Sequence, residues 1–261
     1  MDFHPVEANL RESFRVLARG RATADVCELP GVTLASAGVS FQMFNAAFFS
    51  GPVSTQVHLE QGLATARDHF ALRGLPWAFW ICEDWIEPSL RRRLSKTCAN
   101  HGLRMSSEMP GMLAADLTHP RRALPELEFH RVEGMSAMMD FRTVGSMCFR
   151  VPSHWFAEVF HDFLPQEHPE FACWVAYWNG LPVATAAALV SDGVIGIYNI
   201  ATVPPFRGRG IAEATTRFAI SEARRAAGNL PVILQSTAPG FRMYTRLGFR
   251  EVSRILVFAS M

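Results

Sequence analysis

The segment Thr202-Val-Pro-Pro-Phe-Arg-Gly-Arg-Gly-Ile-Ala212 constrains this chain more than any other stretch. It follows an apolar run, Val194 to Ala201, and leads into Ile211 to Ala227, where Ile211, Ala214, Phe218 and Ala219 recur at helical spacing. Gly228 is a plausible helix stop, and Pro231 opens the next segment. The order is therefore strand, short loop with two glycines and two arginines, helix. Gly208 and Gly210 carry no Cβ, so the backbone there can approach a ligand closely. The first N–H groups of the helix have no intrahelical partner and sit at the positive end of its dipole. Such a turn holds an anion, and a diphosphate fits it well. No Gly-Lys-Ser/Thr follows, so the loop is not the ATP-binding P-loop. The glycines do not match the dinucleotide-binding pattern either.

The downstream segments extend the pattern. Val232 to Gln235 reads as a short buried strand and Ser236 to Gly240 as a loop. Phe241-Arg-Met-Tyr-Thr-Arg-Leu-Gly-Phe249 reads as a short helix, and Val252 to Phe258 as a final strand. Upstream, Leu127 to Val132 is a strand, and Met135 to Cys148 and His154 to Leu164 are helices. Ala172 to Trp178 and Val183 to Val190 are strands joined by Asn179-Gly180. Asp192-Gly193 turns the chain into Val194 to Thr202. Both dipeptides are strong hairpin signals.

With Pro204 and Phe206 before it, Arg207-x-x-Gly210-x-Ala212 resembles the acetyl-CoA signature of the GNAT acetyltransferase superfamily. The string with Tyr244 ending in Leu247-Gly248-Phe249 is similar to that family's second signature. The resemblance runs from Glu126 to Met261. It implies an α/β fold with a mixed (α+β) sheet and acetyl-CoA as cosubstrate, with no metal. It further implies that the amides of Arg207, Gly208, Arg209, Gly210, Ile211 and Ala212 bind the cofactor diphosphate. Ile200 and Thr202 fall where the family's fourth strand splays from the fifth and its backbone contacts pantetheine. Tyr244 matches the tyrosine that points at the cofactor sulfur, and a phenol with a reference pKa of about 10 suits protonation of a leaving thiolate. The expected activity is direct acetyl transfer to the amine of a small acceptor; the alternative is a non-catalytic CoA-binding regulator. Ser236 stands near where family members place a cofactor-binding asparagine, which puts that contact in doubt.

No general base is evident. Val194 to Thr202 contains no carboxylate, and Tyr198 and Asn199 are its strongly polar side chains. Asp140, His154, His161, Glu167, His168 and Glu170 come from segments that line the acceptor groove in the family. Each of them is more often a solvated surface group than a base. Arg142 could hold an acceptor carboxylate, though a surface ion pair is the commoner role.

A chain of 261 residues is long enough for two domains of about 100–150 residues. A linker is expected at Thr118 to Pro125, between a first domain at 1–117 and a second at 126–261. In the first domain Leu59 to Leu72 reads as a helix, Trp77 to Cys82 as a buried strand, Leu90 to Asn100 as a helix and Met112 to Leu117 as a strand-like tail. This order parallels that from Ile211 to Phe258, and Gly74-Leu-Pro-Trp77 is similar to Gly228-Asn-Leu-Pro231. Residues 1–125 contain no Arg-x-x-Gly-x-Gly/Ala loop. The first half is thus either a degenerate GNAT-like copy without cofactor binding or an unrelated α/β cap. Between residues 31 and 56, Phe41, Phe44, Phe48 and Phe49 could form core or a lid, and Asn45 among them must bond either backbone or substrate.

A formal charge of +1 gives no field to recruit nucleic acid or an anionic membrane. No apolar run approaches the roughly 20 residues of a membrane span. Met1-Asp-Phe-His lacks an export pattern, and the five scattered cysteines have no metal-ligand spacing. Reduced thiols in a cytoplasmic protein are expected. The sequence leaves the oligomeric state unknown.

Overall fold

A computed structural model describes residues 3–19, 21–149, 151–160 and 168–260. Its elements are, in chain order, α1 (His4–Arg19), β1 (Asp25–Leu29), β2 (Val32–Ser36), β3 (Asn45–Phe49), α2 (Gln56–Arg73), β4 (Ala78–Cys82), α3 (Pro88–Arg91), α4 (Leu94–Asn100) and β5 (Leu103–Ala114). There follow β6 (Glu128–Arg131), α5 (Met135–Phe149), α6 (Ser153–Val159), β7 (Phe171–Trp178), β8 (Leu181–Ser191), β9 (Val194–Thr202), α7 (Ile211–Ala227), β10 (Val232–Gln235), α8 (Ala238–Leu247) and β11 (Arg250–Ser260).

All the strands form one 11-stranded mixed sheet in the order β1-β2-β3-β4-β11-β5-β10-β9-β8-β7-β6. The same succession occurs twice. Strands β1, β2 and β3 pair antiparallel, then α2 crosses over to β4, which lies parallel to β3. Strands β7, β8 and β9 pair antiparallel, then α7 crosses over to β10, which lies parallel to β9. The closing strand of each succession goes to the other. β5 pairs with β10 from Gly111 to Ala114, and β11 pairs with β4 from Ile255 to Ala259. β5 and β11 then pair antiparallel with each other at the centre of the sheet.

This exchange makes a prediction about a cut at the expected linker, 118–125. A fragment starting at Thr118 lacks β5, so the edges of β10 and β11 that it covers would be left unpaired. Such a fragment is expected to aggregate or to melt without a cooperative transition by circular dichroism. A cooperative melt with the helix and strand content of the second half would show that this half closes its own sheet.

Most second-half elements fall where the sequence places them, and β9, α7 and β10 coincide to the residue. Several expectations, in both halves, are corrected. The helix expected from Leu90 to Asn100 is two pieces, because Arg93 N–H bonds the Leu90 carbonyl three residues back and breaks the α pattern. The strand expected at 112–117 is β5, which begins at Leu103 and ends at Ala114. α8 begins at Ala238, inside the expected loop. α6 ends at Val159, and residues 161–164 of the longer expected helix lie outside the described residues.

The region from 31 to 56 is mostly core and sheet. Phe48 and Phe49 are buried in β3. Asn45 is 0% exposed and fully occupied by the protein. Its side-chain amide donates to the carbonyls of Val39 (2.7 Å) and Pro76 (2.8 Å), and its Oδ1 accepts from Ser36 Oγ (2.9 Å) and Gly38 N–H (3.1 Å). Asn45 therefore bonds backbone and Ser36, which settles its role as structural.

Helix α1 belongs to the first half but lies on β8 and β9. Asn9, also fully buried, accepts from Tyr198 Oη at 2.6 Å and donates to Ser191 Oγ at 2.8 Å. Its Oδ1 occupies the place where a Cβ at Gly196 would stand, 1.8 Å away, so the helix seats here only against glycine.

Candidate active site

The site begins where β9 leaves β10. The two strands pair only through Ile195 and Gly196. Three residues on, Asn199 adopts a left-handed φ of 49°, and the register against β8 shifts at Thr185/Ala187. A bulge of this kind bends and re-aims a strand. Thr185 Oγ1 pins it by donating to the Asn199 carbonyl at 2.8 Å. The far end of β9 thus diverges from its neighbour, and a cleft of ≈ 780 Å³ opens beside it.

Three groups of residues wall this cleft. Ile200, Ala201 and Thr202 come from β9. Phe206, Arg207, Gly208, Gly210, Ile211, Ala212 and Glu213 come from the loop and first turn of α7. Thr237, Pro239, Gly240, Met243, Tyr244 and Arg246 come from α8 and its entry. Of the residues the sequence singled out, Ile200, Thr202, Arg207, Gly208, Gly210, Ile211, Ala212 and Tyr244 are all brought together. The exception is Arg209, which does not line the cleft. Its guanidinium lies over the rings of Trp178 (5.4 Å) and Phe206 (5.5 Å), a cation–π packing that braces the loop from outside.

The anion end is built from backbone. Gly208 and Gly210 have φ of 77° and 87°, the left-handed region that glycine enters without a Cβ penalty. Gly210 caps α7 with no side-chain hydrogen bond. The first amides of the helix are therefore left to a ligand or to water. Arg207 turns its Nε back onto the Thr202 carbonyl at 2.9 Å and so ties the loop to the end of β9. Thr202 is 8% exposed, and its Oγ1 is buried without a hydrogen-bond partner among the described residues. A buried hydroxyl without a partner at a cleft wall fits a polar ligand. The unpaired amides, the two left-handed glycines and this hydroxyl together suit a diphosphate carried on an extended amide-bearing arm.

The opposite end is apolar around one phenol. Tyr244 is 8% exposed, with Phe249 edge-on at 5.8 Å. A Cβ at Gly240 would stand 2.9 Å from the ring, so glycine there makes the room. Burial pushes the Tyr244 phenol above its usual range, and it stays protonated. Cys148 and Phe149, from the end of α5, also reach the cleft. Burial raises the Cys148 thiol, with the neighbouring Arg207 opposing the shift.

The candidate bases do not converge here. Asp140 accepts from Tyr177 Oη at 2.6 Å, His168 faces Glu170 at 3.6 Å, and His154 is exposed beside Trp155. His161 and Glu167 lie outside the described residues. Arg142 donates to the Phe160 carbonyl and ties α5 to the end of α6. Tyr198 is held by Asn9. Ser236 is fully buried and donates to the Thr237 carbonyl, so the cleft wall at that position is Thr237 instead. Among the described residues, the one carboxylate lining the cleft is Glu213, paired with Arg217 at 2.9 Å on the first turns of α7.

Away from the cleft, Asp25, Cys27 and His69 bring donor atoms within 4.8 Å of one another, from segments too far apart for a spacing rule to find. Arg73 and His69 both hold the Asp25 carboxylate there, fastening α2 to the edge strand β1. All five cysteines are free thiols.

A splayed strand pair, a glycine turn with unpaired amides at a helix start and a buried tyrosine across the gap line one cleft. Residues 169–251, from β7 into β11, match the acetyltransferase (GNAT) domain family. Similar solved structures extend beyond that span. A GCN5-related N-acetyltransferase from Kribbella flavida is 17% identical with a TM-score of 0.74, covering 98% of this chain and 95% of its own. A functionally unknown conserved protein from Staphylococcus epidermidis is 14% identical with a TM-score of 0.66, covering 91% and 94%. A tandem GNAT protein from the clavulanic acid biosynthesis pathway is 10% identical with a TM-score of 0.53, covering 97% and 95%. At these identities the likeness is one of fold, and it takes in both halves. No curated protein matches the sequence.

Proposed function

We propose that the protein is an acetyl-CoA-dependent N-acetyltransferase that passes acetyl directly to the amine of a small acceptor. The supporting observation is that one cleft holds both a glycine turn with unpaired helix amides and a buried phenol, with the end of β9 that leaves β10 between them. Acetyl-CoA supplies an activated acetyl group on sulfur. The amides of Arg207 to Ala212 bind its diphosphate, and the free edge of β9 around Ile200 and Thr202 takes the pantetheine arm as an added strand. A β9 amide polarises the thioester carbonyl, and Tyr244 Oη donates to the sulfur as charge develops there. The amine must arrive neutral. Among the described residues no carboxylate lines the Tyr244 end of the cleft, so the proton leaves through water or to a group from another segment.

We read the two halves, 1–117 and 126–261, as two copies of one fold, the first of them without a cofactor loop, and the protein as cytoplasmic. Among the described residues, no helix is long and apolar enough to cross a membrane. One acetyl-CoA is expected per chain, since no turn like that at Gly208 and Gly210 occurs in residues 1–125. Calorimetric titration checks this, and two equivalent sites per chain would overturn it. A panel of small amines with acetyl-CoA, read by release of free CoA thiol, tests the enzymatic reading. Tight binding of acetyl-CoA with no transfer to any amine would favour the regulator.

A further inference from the structure

The segment between β5 and β6 runs beside the cleft, which Arg122 lines. Pro125 Cδ and Arg122 Nη2 lie 3.3 Å and 3.4 Å from where a Cβ at Gly210 would stand, so the link between the halves rests on the diphosphate turn itself. Its near end is tied down, with Thr118 N–H donating to the Leu247 carbonyl at 2.9 Å and Thr118 Oγ1 to the Arg246 carbonyl at 2.6 Å. Beside the turn this segment walls a second, solvent-open hollow of ≈ 360 Å³, lined by His119, Arg121, Arg122, Glu213 and Arg246. Arg122, Glu213 and Arg246 also line the cleft, so the two spaces share a wall.

The charges in this second cavity are unbalanced. Its one carboxylate among the described residues, Glu213, is already paired with Arg217. Arg121, Arg122 and Arg246 have no carboxylate partner among the described residues, whereas Arg217, Arg225 and Arg254 are each paired with a glutamate. Three unpaired guanidiniums around one hollow call for a dianion, and guanidinium geometry matches phosphate oxygens. The diphosphate is already provided for by the backbone amides next door. What remains to be bound is a further phosphate on the same ligand, a few ångströms beyond the diphosphate.

We propose that Arg121, Arg122 and Arg246 form a phosphomonoester pocket that reads the ribose 3′-phosphate of CoA, with two of the three arginines supplied by the segment joining the halves. This rests on the acetyl-CoA reading of the cleft and deepens it. The joining segment is then a specificity element, which selects the free coenzyme over ligands that present the same thioester arm without that phosphate.

The test compares acetyl-CoA with 3′-dephospho-acetyl-CoA by calorimetry, in the full chain and in the double variant Arg121→Gln, Arg122→Gln. The wild-type chain is expected to bind acetyl-CoA about 10- to 100-fold more tightly than the dephospho form, the range for charge-assisted hydrogen bonds to one phosphate at a solvent-facing site. In the double variant the ratio of the two affinities should fall towards one, because acetyl-CoA binding weakens more than dephospho-acetyl-CoA binding. A wild-type ratio near one overturns the proposal, and so does a double variant that keeps the wild-type ratio. If neither ligand binds the wild-type chain, the acetyl-CoA reading itself is wrong and the proposal falls with it. Binding of both ligands at equal strength removes this pocket's role and leaves that reading intact.

Discussion

Tyr244→Phe is expected to slow acetyl transfer by about 10²- to 10⁴-fold, the range for loss of a general acid, with little change in affinity for acetyl-CoA. The phenol is proposed to act only as sulfur becomes thiolate, so it contributes in the transition state rather than the ground state. Its protonation state is secure, because burial raises its pKa above the ordinary value of about 10. Phenylalanine keeps the ring beside Gly240 and Phe249. The hydroxyl has no hydrogen bond within the protein among the described residues, so its loss costs little stability. Because the phenol's pKa is raised, no fall in rate from its ionisation is expected on the alkaline side up to about pH 9. Single-turnover transfer is the measurement, since slow product release would mask the effect in steady state. A variant that transfers at the wild-type rate would make Tyr244 a packing residue.

The second half was legible because its local signals agree with its fold. Asn179-Gly180 and Asp192-Gly193 are hairpin turns with φ of 51° and 53° at Asn179 and Asp192, and α7 carries a clean helical period between Gly210 and Gly228. The first half hid its elements for specific reasons. In α1 the polar residues Glu7, Asn9 and Ser13 are buried alongside Val6, Leu10 and Phe14, which blurs the apolar stripe. β2 and β3 are buried on both faces, so neither alternates. β5 contains Ser106, Ser107, Glu108 and Pro110, a composition that argues against a central strand. It is central because β11 carries a bulge between Glu251 and Ser253, next to the proline. The exchange of β5 and β11 leaves no mark in either strand, because it is a matter of which neighbours they find.

In the site, the diphosphate turn and Tyr244 were readable because each depends on a short contiguous motif. Arg122, Cys148 and Arg246 were not, because they reach the cleft from a link, the end of α5 and the exposed side of α8. Arg209 shows the converse limit. Its position in the motif is correct, but Trp178, on β7, draws its side chain outward, and Trp178 is 31 residues away along the chain.

Gly210→Val is expected to weaken acetyl-CoA binding by about 100-fold or more, the loss of two hydrogen bonds to a charged group. Two effects act together. The residue has a φ of 87°, which a β-branched side chain adopts only with strain of about 1–3 kcal/mol. Its Cβ would also stand 3.3 Å from Pro125 Cδ and 3.4 Å from Arg122 Nη2, so the branched methyls must displace the link that rests on the turn. Relaxing either strain rotates the first amides of α7 away from the position in which they face the cleft. Gly210→Ala separates the causes, since it meets the φ strain with a single methyl and should lose less affinity than valine. Thermal melts of both variants check that the sheet survives, which is expected because Gly210 lies outside every strand pairing. Calorimetry showing unchanged affinity in a folded Gly210→Val protein would remove the turn from the cofactor site. An affinity loss equal in both variants would place the whole effect in the backbone and none in the contact with Arg122 and Pro125.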